Sequence, residues 1–255
     1  MNGAQRNGAW LGSGAVFAVF IALWWAASHA GWISRVFLPT PEATFASLQE
    51  GLAAGGELAA FMLATVVRML QGWLLASLAG VALGALIGIS PLARAYLQPT
   101  LEFVRPLPAS ALLPIAIAMF GLSPTMVLFV VAFGAMWPVL LATVHGFAAI
   151  EPRLVEVARC LQLGRGAFVW SVGLPNALPD ILAGMRLSMT VSLIVAVVGE
   201  MIASQPGLGQ AILLAARAFR ASELFAGIAL LGVIGFASNA LLALAERKLL
   251  NWQTP

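Results

Sequence analysis

The chain has 255 residues, 61% of them hydrophobic and only 9% charged, with a formal charge of +3 and a mean hydropathy of +0.97. Soluble domains carry roughly 25% charged residues, so much of this apolar surplus must face lipid, and a water-soluble globule is excluded. The 13 basic residues are scattered between apolar runs, a distribution that serves membrane topology and gives no nucleic-acid signal.

Met1 to Gly14 is polar and glycine-rich with Arg6 its only charge, and reads as a loose N-terminus, 1–14. Ala15 to Ala30 is the first apolar run. An arginine before it and Ser28-His29-Ala30 after it imitate a cleavable signal, but Trp24 and Trp25 lie in its core and further spans follow. An uncleaved first helix is the reading preferred. Pro39-Thr40-Pro41 then turns the chain, and Thr44 to Leu52 reads as a short surface helix.

Leu58 to Ile89 is too long for one crossing, since about 20 helical residues cover a hydrocarbon core of about 30 Å. The spanning part is placed at Met69 to Ile89, closed by Ser90-Pro91. Gly80, Gly84 and Gly88 form an i, i+4, i+8 row that permits close helix contact. The third span runs to Phe120 and contains Pro114, which reads as a kink or as a break beside a water-lined cavity. Gly121 to Pro124 is a tight turn, and Thr125 to Val144 is the fourth span.

From Glu151 to Pro179 the chain carries regular charge. Leu154, Val157, Ala158 and Leu161 fall at i, i+3, i+4, i+7 and make one apolar helical stripe. Glu156 and Arg159 are spaced for an i, i+3 pair, and Pro152 suits a first helical position. Gly164 and Gly166 are read as the break, and Ala167 to Leu174 as a second short segment. A helix, a bend and another helix make a knob for a groove on another protein; an amphipathic segment lying on the membrane fits the periodicity equally.

The fifth span, Pro179 to Ala203, carries Arg186, Ser188, Thr190, Ser192 and Glu200. Asp180 is placed at its N-terminus, and Glu200 reads as an outer-end structural or gating residue, paired or hydrated. Ala211 to Glu223 is a loop or surface helix, and Leu224 to Ala245 is the sixth span. The expected fold is therefore all-α and integral to the membrane. Its single domain, 15–250, has six spans at 15–30, 69–89, 106–120, 125–144, 179–203 and 224–245, with a loop at 145–178 between the fourth and fifth. With both termini inside, nine basic residues (Arg6, Arg94, Arg105, Arg153, Arg159, Arg165, Arg186, Arg247, Lys248) collect on the inner side. Four (Arg35, Arg68, Arg217, Arg220) collect outside. That bias puts the knob in the cytoplasm.

No phosphate loop, His-Glu-x-x-His or Gly-x-Ser-x-Gly motif occurs, so nothing points to nucleotide binding or hydrolysis by this chain. His29 and His145 are too few and too far apart for a metal site, and Cys160 is the only cysteine. A membrane path without an energy source requires a partner.

The knob resembles the cytoplasmic signature of the permease subunits of bacterial ATP-binding-cassette importers: Glu-Ala-Ala, then Gly, then Ile-x-Leu-Pro. Glu156 and Pro175 keep its spacing of nineteen, Ala158 matches the second alanine and Leu174-Pro175 the end. Val157 replaces the first alanine, and Gln162 stands at the glycine position, with Gly164 two residues later as the alternative turn. The stretches LPTPEATFASL, LEFVRPLPASALLPIAIAMFGLSP, GMRLSMTVSLIVAVVGEMIASQPGLG and LFAGIALLG are similar to the nitrate, sulfonate, taurine and pyrimidine-precursor branch.

The resemblance implies an inner-membrane importer permease that is not itself an enzyme. It implies a homodimer with two ATPase subunits, which hold the ATP and Mg, and an outer solute-binding protein. It implies that Glu156, Ala158, Arg159, Gly164, Leu174 and Pro175 belong to the coupling element. Ser110, Arg186, Ser188, Ser192 and Glu200 are candidates for the translocation path. The solute expected is a small anion such as a sulfonate, taurine or nitrate; the alternatives are a pyrimidine or aromatic solute, or a stand-alone secondary carrier.

Overall fold

The computed structural model describes residues 3–31 and 33–250, and those residues are almost entirely helical with no strand. Met1 and Asn2 of the expected loose terminus lie outside the described residues, as do the side chains of Arg6 and Arg165. Helix α1 runs Gly3–His29, α2 Pro41–Leu52, α3 Leu58–Ile89 and α4 Pro91–Val104. A 3-10 turn, Ala109–Leu112, leads into α5 Leu113–Phe120, followed by α6 Pro124–Ala148 and α7 Pro152–Cys160. One turn of helix, α8 Arg165–Phe168, continues through a wide π-type turn, Val169–Gly173, into α9 Leu174–Ala203. Helices α10 Leu208–Arg217 and α11 Ala221–Leu249 complete the chain.

Helices α3, α6 and α9 form the centre, and small residues let them approach. A Cβ at Gly80 would lie 2.9 Å from that of Val139, and one at Gly88 would lie 2.5 Å from that of Phe147. On the other side of α6, a Cβ at Gly184 would lie 2.6 Å from that of Ala142. The expected glycine row is thus the α3–α6 seam. Polar groups tie α9 to both of these helices: Trp73 Nε1 of α3 donates to the Met185 carbonyl at 2.9 Å and Ser188 Oγ to the Ala135 carbonyl of α6 at 2.6 Å. Without water to compete, such bonds are made wherever a carbonyl is in reach.

Several local expectations hold. Pro152 begins α7, Pro39-Thr40-Pro41 turns the chain into the short helix α2, capped by Thr40 through the Ala43 N–H, and Ser90 ends α3, where it also caps α4, a helix not expected, through the Ala93 N–H. Gly121 takes φ +65° at the turn before α6, where Ser123 caps through the Met126 N–H.

Others are corrected. Helix α1 begins at Gly3, not after a loose 1–14, and its apolar part, Gly14–His29, is short for a crossing. Helix α3 is continuous from Leu58, so the expected start at Met69 is eleven residues late; Arg68 and Gln71 lie within the helix. The third span does not form as one rod. The 3-10 turn and α5 together reach about 20 Å, and α4 meets them at 88°. Pro106 and Pro108 interrupt the backbone ladder there, while Pro114 sits in the first turn of α5, where a missing N–H costs nothing. The fifth span starts before Pro179. Residues Gly166–Ala203 form one helix of 38 residues, so Ala167 to Leu174 is no separate segment and Asp180 is interior. The wide turn explains it: Leu174 N–H bonds back to Val169 O, five residues earlier, which makes room for the Pro175 ring where a regular turn would clash.

Four helices are long and apolar enough to cross a membrane, or five if the bent pair α4–α5 counts as one. The expected six includes α1.

Candidate functional site

The charged loop between α6 and α9 is built by α7 and the bend after it. Of the predicted stripe only Ala158 is buried; Leu154 (42% exposed), Val157 (54%) and Leu161 (65%) stand open. An apolar row this exposed on an otherwise charged helix is a surface awaiting cover. Glu156 and Arg159 are both exposed and form no ion pair among the described residues; the pair that does occur, Arg153 Nε to Glu151 at 3.9 Å, is solvent-exposed on both sides and contributes little.

The bend is made at Gln162, which holds φ +52°. The expected break at Gly164 and Gly166 is therefore corrected. Gly164 has no positive φ and open space around it, and Gly166 is already helical in α8. The left-handed residue is the one at the signature's glycine position, and it carries a side chain there, at a cost of about 1 kcal/mol. Ala158 and Arg159 line a groove of about 470 Å³ with Ile89, Ser90, Pro91 and Phe168, which lies between the loop and the α3–α4 corner. Leu174 and Pro175 open α9, where Asn176 Nδ2 donates to the Gly146 carbonyl at 3.2 Å and ties the loop's return to the end of α6.

The path candidates separate into three kinds. Ser110 is exposed and lines a cavity of about 180 Å³ with Leu113, Val130, Val195 and Gly199. Ser188 and Ser192 are fully buried: the Ser188 hydroxyl ties α9 to α6 at the Ala135 carbonyl, and that of Ser192 bonds back within α9 to the Met189 carbonyl. Arg186 is ion-paired to Glu246 near the end of α11.

Glu200 is the only charged side chain among the buried described residues. It is ion-paired to Arg68 of α3, and it accepts Thr65 Oγ1–H at 3.0 Å and Gly209 N–H at 2.9 Å. Arg68 Nη2 also donates to the Pro206 carbonyl at 3.3 Å. Sequence reasoning missed Thr65 and Arg68 as its partners, because 135 and 132 residues separate them from Glu200. It also missed a cavity of about 410 Å³ between α2, α3, α10 and α11, bordered by Glu50, Glu57, Arg220 and Glu223.

Against known proteins, the family model described as a binding-protein-dependent transport system inner membrane component matches residues 76–251. The chain is 34% identical over 251 residues to SsuC of Bacillus subtilis, assigned as an aliphatic sulfonates transport permease, across 98% of this chain and 90% of the relative. It is 30% identical over 239 residues to the taurine transport system permease TauC of Escherichia coli, across 92% and 87%. It is 35% identical over 178 residues to the nitrate import permease NrtB of Leptolyngbya laminosa, across 70% and 64%. The fold is shared with a crystal structure of an amino acid ABC transporter with histidines, at TM-score 0.59 and 20% identity, over 75% of this chain and 93% of that one.

Proposed function

The chain belongs to the inner membrane components of binding-protein-dependent transport systems, and from that premise we propose how this permease subunit is assembled, driven and loaded. Two copies form the path, two separate ATPase subunits hold ATP and Mg, and a binding protein delivers solute from outside. The six-span count is reached by adding α1 and the bent pair α4–α5 to the four long helices. Both termini then lie in the cytoplasm, and the loop 145–178 faces the ATPase.

The observation that carries the coupling proposal is the uncovered stripe of α7 beside Glu156 and Arg159. A partner groove covering Leu154, Val157 and Leu161 removes apolar surface from water at about 25 cal/mol per Å². Ala158 and the groove against α3–α4 pass its movement to the spanning helices, with Gly164, Leu174 and Pro175 shaping the return. To invert the population of inward- and outward-open states, ATP must favour one by about 5.5 kcal/mol.

The solute proposed is a small anion of the sulfonate, taurine or nitrate kind, supported by the names of relatives that align over most of this chain. Ser110 is the path candidate left facing open space. The test uses the complex in liposomes with its binding protein. Val157→Asp and Glu156→Arg lie on exposed positions and leave the membrane fold intact, yet are expected to abolish ATPase retention or uptake. Uptake that proceeds with no ATPase present refutes the reading.

A further inference from the structure

Helix α10 has no cap of its own: Gly207 precedes it and offers no side chain. Its first two amides are satisfied instead from other helices. Leu208 N–H donates to Thr65 Oγ1 at 2.9 Å, and Gly209 N–H donates to Glu200 Oε2 at 2.9 Å. Thr65 Oγ1–H passes the bond on to Glu200, which is also paired to Arg68. The fit is tight. A Cβ at Gly207 would run into the Glu200 carboxylate, and one at Gly209 into the Val197 carbonyl. On its other side α10 walls the cavity of about 410 Å³ through Ala211, Ile212 and Leu214.

An ion pair whose carboxylate is fully buried and held by further hydrogen bonds favours one geometry, because parting it leaves a buried charge uncompensated. Such a joint is stiffer than the apolar contacts beside it. Resting on the importer reading, we propose that the Thr65–Arg68–Glu200 cluster is the joint through which α3, α9 and α10 move as one, so that events at that cavity reach the spanning helices. Glu200 is on this view a positioning residue for the outer binding protein's signal and makes no contact with the solute.

The experiment compares Glu200→Gln, Arg68→Gln, the double variant and Gly207→Ala in the full complex with its ATPase and binding protein. Three quantities are read: hydrogen exchange at the Leu208 and Gly209 amides, the ratio of stimulated to basal ATP hydrolysis per assembled complex, and KM against maximal rate of uptake. Glu200→Gln is expected to speed exchange at least tenfold, to lower the stimulation ratio several-fold and to reduce maximal rate with KM within twofold. The double variant recovers part of the ratio, because no charge is left unpaired, and Gly207→Ala reproduces the single variant by displacing the carboxylate. A changed KM at unchanged maximal rate makes Glu200 a solute contact and overturns the proposal. Faster exchange with an unchanged ratio makes the cluster merely structural and overturns it too. If Glu200→Gln fails to assemble, Gly207→Ala and the double variant decide. A wild-type complex that ignores its binding protein refutes the importer reading, and the exchange rates still decide whether the joint exists.

Discussion

Replacing Gly84 by alanine isolates the energetics of the α3–α6 seam. A methyl carbon there would lie 2.6 Å from Thr143 Cβ and 2.8 Å from the Leu140 carbonyl oxygen. Carbon atoms rest about 3.5–4.0 Å apart, so the helices must separate by about 1 Å. Gly232 on α11 is the control, since a Cβ added there meets nothing within 4 Å. Alanine gains about 1 kcal/mol over glycine in a helix interior, and this gain is common to both sites. At Gly84 overpacking opposes it by about 1–3 kcal/mol. Gly232→Ala should therefore stabilise the chain by about 1 kcal/mol, while Gly84→Ala falls below it by about 1–3 kcal/mol, roughly 5- to 150-fold in the unfolding constant. Unfolding the purified chain from mixed micelles with an anionic detergent, followed by tryptophan fluorescence, measures the gap. Equal stability of the two variants refutes the seam as described.

Other expectations follow from single contacts. Glu246→Gln strands the Arg186 charge; as Arg186 is 42% exposed, water screens it and the loss should be about 1 kcal/mol or less, recovered when Arg186→Gln is added, by the same unfolding assay. Gln162→Gly relieves the left-handed residue at the bend and should stabilise the loop by up to about 1 kcal/mol, seen as slower hydrogen exchange across 157–168. Glu42 is held below the usual carboxylate range by its backbone hydrogen bond in the first turn of α2, aided by Thr40 and Trp25. Its contribution is thus complete above its ordinary value of 4.5 and is lost as pH falls through the lowered one. The docking of α2 on Trp25 should loosen on acidification, and Glu42→Gln should flatten that response in tryptophan fluorescence.

Elements governed by local chemistry were legible in the chain. Pro152 marks a helix start because a missing N–H costs nothing in the first turn, Ser90-Pro91 and Gly121 to Pro124 mark breaks between helices, and the 80-84-88 row announces a seam because spacing alone puts it on one face. Proline misled where tertiary packing overrode its usual reading. Pro175 and Pro179 were taken as boundaries, yet the wide turn at Val169–Gly173 accommodates Pro175 and Pro179 sits inside the continuous helix α9. At Pro106-Leu107-Pro108 the opposite error arose, since apolar length was counted as a crossing although no helix forms across the prolines. In the site, the exposed stripe was visible from periodicity, whereas the left-handed φ fell on Gln162 and not on the nearest glycine. The Glu200 cluster joins residues more than 130 positions apart, and no local signal carries that.

The unbroken helix Gly166–Ala203 has a mechanical corollary. At 1.5 Å per residue it is about 57 Å long, well beyond a hydrocarbon core of about 30 Å. One degree of tilt about either end then carries the other by about 1 Å. A lever arm of that length turns a few degrees of rotation at one end into several ångströms of travel at the other.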